Sequence, residues 1–130
     1  MEEVTESTSI RKRLPDEREG VTHHFRISDR TGNITSGYIQ TGVYENGKLG
    51  ELFIKIGKPG DESAVWDQFA VLFSMGLQYG IAVETLCAKF IGTRFEPSGS
   101  CSNLDIPRCT SIADYIARFI MLKFGAKADA

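Results

Sequence analysis

Cysteine is scarce in this 130-residue chain and poorly spaced for chemistry: Cys87, Cys101 and Cys109 are all there is. No Cys-x-x-Cys occurs, and no histidine lies near Cys101 or Cys109. Structural zinc normally shows short-spaced ligand pairs, and dithiol redox centres a Cys-x-x-Cys, so neither a metal nor a redox role is expected. Histidine is confined to His23 and His24. Adjacent strand residues point to opposite faces, so these two cannot hold one ion together. No apolar run reaches the roughly 20 residues of a membrane-spanning helix. There is no basic excess either, with 15 Lys and Arg against 17 Asp and Glu and a formal net charge of -2. Duplex nucleic acid, which needs a concentrated basic surface, is not the expected partner. Met1 to Thr8 is acidic and polar, unlike the basic-then-apolar pattern of a secretory leader. With an odd cysteine count, that suggests reduced thiols and a cytoplasmic setting. Nucleophile-elbow, Walker and dinucleotide glycine motifs are missing too, so no catalytic residue and no cofactor is expected.

What is present is the composition of an ordinary globular domain, 42% apolar and 25% charged. Residues 1–20 hold ten charged side chains and few apolar ones, and read as a largely mobile arm in which Leu14 and Pro15 could dock. Residues 21–124 read as a single α+β domain and 125–130 as a tail. Val21 to Ser28, Ile34 to Tyr44 and Leu49 to Gly57 have the alternation and β-branched content of strands. Asn46-Gly47 is a hairpin signal between the last two. Together they predict an antiparallel meander of about three strands. About three helices follow and cover one of its faces. Trp66, Phe69, Ala70, Phe73 and Leu77 recur at helical spacing, and Gly80 is a natural stop. A shorter helix is expected from about Val83 to Ile91, with Cys87 on its apolar stripe. The last helix starts at Thr110 or Ser111, where Ser111 and Asp114 resemble a capping box and Asp114 can pair with Arg118. Residues 93–109 read as a loop.

Two places carry candidate ligand chemistry. Lys58, in Lys58-Pro59-Gly60 ahead of a helix, can neutralise an anion at the helix entrance, although the same tripeptide is an ordinary turn. The segment Thr93-Arg94-Phe95-Glu96-Pro97-Ser98-Gly99 offers a cation, an aromatic plane, a carboxylate and a hydroxyl. Arg94, Phe95, Glu96 and Ser98 could stack on a base and pair a phosphate, and Arg108 could join them. The competing reading is a rigid loop whose polar groups satisfy its own backbone.

Several motifs occur in one order: Arg11-Lys12-Arg13-Leu14-Pro15, Thr22-His23-His24-Phe25, Gly50-Glu51-Leu52-Phe53, Leu77-Gln78-Tyr79-Gly80, Arg94-Phe95-Glu96-Pro97-Ser98-Gly99 and Ser111-Ile112-Ala113-Asp114-Tyr115-Ile116-Ala117-Arg118. The series resembles the TSCPD-type domain in the C-terminal part of vitamin B12-dependent (class II) ribonucleotide reductases, over residues 11 to about 124. The resemblance implies the fold and not the reaction. In those reductases the radical cysteine and the cobalamin site lie in a large barrel outside the matched segment, and no family catalytic residue maps onto this sequence. Zinc-type cysteine pairs at their C-terminal end have no counterpart here. The implied function is a non-catalytic nucleotide-binding or accessory module, with a small nucleotide-type ligand and a reductase catalytic subunit as partners. A second reading is a freestanding homo-oligomer that sequesters nucleotide-derived signalling molecules, as some virus-encoded immune antagonists do.

Overall fold

The computed structural model describes residues 10–56 and 61–125. Three long strands come first: β1 (Thr22–Ser28), β2 (Ile34–Val43) and β3 (Leu49–Ile56). They pair antiparallel as expected, with His24 opposite Tyr38 and Tyr38 opposite Lys55. The β2–β3 connection uses Gly47 at φ +85, a conformation glycine adopts without steric cost. Asn46 supports that turn by accepting a hydrogen bond from the Lys48 N–H at 2.9 Å. Helix α1 (Asp61–Gln78) follows, then the short α2 (Val83–Ala88), which stops three residues earlier than the expected Ile91. Helix α3 (Ile112–Phe124) ends the described fold.

The stretch predicted as a loop contains two further strands, β4 (Gly99–Cys101) and β5 (Arg108–Cys109). Their order in the sheet is β3-β2-β1-β4-β5. The sheet therefore has five strands rather than about three, and β1 lies at its centre. Strands of three and two residues are too short to show alternation, and Pro107 beside them masks what remains. They form because β1 offers a free edge, on which Ile27 pairs with Cys101 and Ser28 with Ser100.

Alternation sets the layers. Phe25, Ile27, Ile39, Leu52 and Ile54 point inward and meet Ala70 and Phe73 of α1 and Ile112, Tyr115, Ile116, Phe119 and Ile120 of α3. Phe25 packs across Gly37, its cross-strand partner; a Cβ on Gly37 would sit 3.1 Å from that ring and 2.3 Å from the Lys55 carbonyl. Helix α1 also closes the outer edge of β3. Ser74 Oγ accepts from the Leu52 N–H at 2.8 Å, and the Gln78 side-chain amide donates to the Gly50 carbonyl at 2.9 Å. Backbone groups that would otherwise template another strand are thereby used. The helix stops in a Schellman geometry at Gly80, with Ile81 N–H donating to Gly76 and Gly80 N–H to Leu77.

Residues 10–20, outside any helix or strand, lie against this body. Arg18 holds the nearly buried Glu51 through two nitrogens, at 2.5 and 3.0 Å. Lys12 N–H donates to the Gln78 carbonyl and Val43 N–H to the Glu19 carbonyl. The Leu14 side chain lies over Gly50 beside Tyr44.

Candidate functional site

The start of α3 organises the site. Ser111 caps the helix, its Oγ accepting from the Asp114 N–H at 2.9 Å. Asp114 does not return that bond to Ser111. Its carboxylate instead accepts from the Thr110 N–H at 3.0 Å, from the Gly92 N–H at 2.6 Å and from Arg118 Nε at 2.9 Å. This almost wholly buried carboxylate thus joins the segment after α2 to the last helix. Burial pushes its pKa up, but the bonds from Gly92, Thr110 and Arg118 outweigh that and hold it below the ordinary carboxylate range. Two more contacts fix the loop that follows: Phe95 N–H donates to the Thr110 carbonyl, and the Thr110 hydroxyl donates to the Thr93 carbonyl at 2.7 Å.

Above this anchor lies a cleft of about 660 Å³. Arg94, Glu96 and Ser98 line it from the loop, and Arg108 from β5. Ser28 contributes from the end of β1, Asp29 and Arg30 from the β1–β2 turn, Ser100 from β4, and Arg118 from α3. Four arginines from four segments therefore face one space. Among the described residues Arg118 alone of the four has a carboxylate partner, Asp114; Arg30, Arg94 and Arg108 form no ion pair. The other two carboxylates are committed locally. Asp29 accepts from the Thr31 hydroxyl at 2.7 Å and from the Thr31 and Asn33 N–H groups, and these bonds lower its pKa. Glu96 accepts weakly from Ser98, at 3.3 Å from the backbone N–H and 3.4 Å from the hydroxyl. Hydroxyls of Ser98 and Ser100 complete the lining. Such a set can grip an anion, because guanidinium groups pair phosphate oxygens through two parallel N–H bonds.

Arg94, Glu96, Ser98 and Arg108, picked out from the sequence, are thus brought together. Phe95 is not among the residues that line the cleft; its ring lies nearly parallel to Trp66 of α1, with centroids 6.4 Å apart. Lys58 lies outside the described residues. Arg30, Arg118 and Ser100 were not expected at the site. Arg30 is some sixty positions from Arg94 and arrives only because β4 pairs with β1. Arg118 had a visible signal in its i, i+4 spacing from Asp114, which reads as an ordinary helix pair.

Cys109 also lines the cleft, but its pKa is raised by burial. Cys101 is pushed up to about 12 by burial and its bond with Cys109, and Cys87 to about 12 by burial. None of the three is a thiolate at neutral pH. His23 sits elsewhere, stacked on Phe119 at 4.2 Å with Nε2 2.8 Å from the Tyr115 hydroxyl. Among the described residues no group of three or more His, Cys, Asp or Glu side chains could hold a metal ion, and no helix is long and apolar enough to cross a membrane.

Comparison with known proteins places this fold. The model of the TSCPD domain matches residues 8–123. The chain belongs to the TSCPD domain family. Its relatives include vitamin B12-dependent ribonucleotide reductases. That of Rhodopirellula baltica is 41% identical over 120 residues, covering 92% of this chain and 11% of the reductase. That of Streptomyces avermitilis is 39% identical over 125 residues, covering 95% of this chain and 12% of the reductase. That of Bradyrhizobium diazoefficiens is 35% identical, covering 92% and 9%. The chain therefore spans about a tenth of the length of these relatives. No solved structure matches.

Proposed function

We propose that this TSCPD domain is a non-catalytic module that binds nucleotides through their phosphate groups, in the arginine cleft, as an accessory to ribonucleotide reduction in the cytoplasm. The observation that carries the reading is the cluster of Arg30, Arg94 and Arg108, with no carboxylate partners among the described residues, around one cleft of about 660 Å³. Gathering like charges is unfavourable unless an anion joins them. Arg118, held by Asp114, and the hydroxyls of Ser98 and Ser100 supply directional contacts. Glu96 is placed to accept from a ribose hydroxyl or a base amine. The similarity to part of B12-dependent reductases supports nucleotides as the anion class and a reductase catalytic subunit as the partner.

Isothermal titration with nucleoside mono-, di- and triphosphates tests the proposal. Charge-assisted hydrogen bonds contribute about 1.5–3 kcal/mol each. Arg94→Ala and Arg108→Ala should therefore each weaken binding by about 10- to 100-fold. Both side chains are exposed and neither is in an ion pair, so the melting temperature should stay unchanged. No affinity for any phosphate ligand, or unfolding of the variants, would reject this site.

A further inference from the structure

Helix α1 has two apolar faces where one would suffice. The inner face, with Ala70 and Phe73, is buried in the core. The opposite face carries Gln68, Val71, Leu72 and Met75, with Val65 beside them and Tyr79 just past the helix end. Val65 is 64% exposed, Val71 61% and Leu72 73%. The outward side of a surface helix is ordinarily charged, and a helix that is apolar all round is normally covered on both sides. The spacing is informative as well. Gln68, Val71, Met75 and, one turn earlier, Ala64 follow the alternating four-and-three rhythm with which one helix packs lengthwise on another.

Charge at the two ends of this face selects the occupant. Asp67 flanks it in the N-terminal half, on the side toward β3. Arg11 flanks it at the C-terminal end, on the same side, where its Nε donates to Gln78 at 2.8 Å. In an antiparallel pair related by a two-fold axis near Val71 and Leu72, each Asp67 comes opposite the other copy's Gly76. At about 1.5 Å of rise per residue this is within two residues of the turn that holds Arg11. A two-fold axis also sets like flanks against each other, so each carboxylate meets a guanidinium. A parallel two-fold sets opposite flanks against each other and leaves each Asp67 far along the helix from the other copy's Arg11, so neither pair could form.

We infer that the outer face of α1 is a homodimer interface, formed by antiparallel packing against α1 of a second copy, with Val71 and Leu72 at the centre and two Asp67–Arg11 pairs at the ends. The inference does not depend on the nucleotide reading, since the arginine cleft is built from other elements.

Sedimentation velocity on the full chain over a range of concentrations tests it. The wild-type chain should sediment as a dimer, and Leu72→Glu as a monomer with an unchanged circular dichroism spectrum. Asp67→Arg should weaken dimerisation by at least 10-fold, and combining it with Arg11→Asp should restore it. A wild-type chain that stays monomeric up to 100 µM (roughly the concentration at which even weak dimers associate) would overturn the proposal. So would a Leu72→Glu dimer, or a double variant no better than Asp67→Arg alone. If the face instead serves a reductase subunit, the first of these results is obtained.

Discussion

Asp114 shows how one side chain can serve both the fold and the site. Its carboxylate satisfies two backbone N–H groups from separate segments and orients Arg118 toward the cleft. Replacement by alanine leaves both N–H groups without their acceptor, at about 1–3 kcal/mol each. Asp114→Ala should therefore destabilise the domain by about 2–6 kcal/mol in denaturant unfolding. Because Thr93 and Thr110 lie on the same anchor, it should also weaken ligand binding. Arg94→Ala, by contrast, should touch binding alone. That contrast separates a residue that builds the site from one that uses it. The sequence shows Asp114 as an ordinary helix-start carboxylate and Arg94 as a loop cation, with nothing to tell which is buried. Burial and bonding partners distinguish them, and neither is printed in the order of residues.

At the scale of elements, α1 was legible because its inner stripe repeats at 3.6 residues, but the stripe does not separate its buried members, Ala70 and Phe73, from Trp66, Phe69 and Leu77, which are only partly buried. Phe73 is 4% exposed and belongs to the buried core, whereas Phe69 is only partly buried, among Trp66, Phe73 and Phe90. Phe73→Ala should cost about 3–5 kcal/mol through the cavity it leaves. Phe69→Ala should cost less, because a partly exposed ring removes less apolar surface from water and leaves a smaller enclosed void. Thermal unfolding of the two variants side by side checks the order. The short strands β4 and β5 escaped detection for a related reason. Period is a property of length, and two or three residues have none. Their pairing is imposed by the vacant edge of β1 and by Gly99, which lies so close to the Ser28 carbonyl that a Cβ would clash at 2.1 Å.

For the molecule as a whole, acid should act in two stages. His23 is held below the usual imidazole range, first by burial and then by Lys123 and His24. The folded state keeps it neutral, while the unfolded chain takes up a proton near pH 6.5. Its contribution is therefore complete above about 6.5 and declines as the pH falls through that value. Asp114 is depressed, so its contribution is complete above about 3.9 and is lost as the pH falls through its lower folded value. Melting temperatures measured from pH 8 to pH 3 should fall in two steps, and His23→Gln should remove the first. A flat profile between pH 7 and pH 5 would contradict the burial assigned to His23.

Sequence alone determined the class of the fold, the three long strands, the α1 stripe with its stop at Gly80, the cap at Ser111 and the Asp114–Arg118 pair. All of these are local: alternation, helical period, turn chemistry and i, i+4 spacing act within a few residues, so the order of residues records them. It also carried the TSCPD resemblance, because a series of motifs survives in linear order. The tertiary structure decided what depends on distant segments meeting. It put β1 at the centre of a five-stranded sheet, gathered Arg30, Arg94, Arg108 and Arg118 around one cleft, and turned Phe95 onto Trp66. Those outcomes follow from which strand edge is free and which core face needs covering, and both are settled only once the chain has closed on itself.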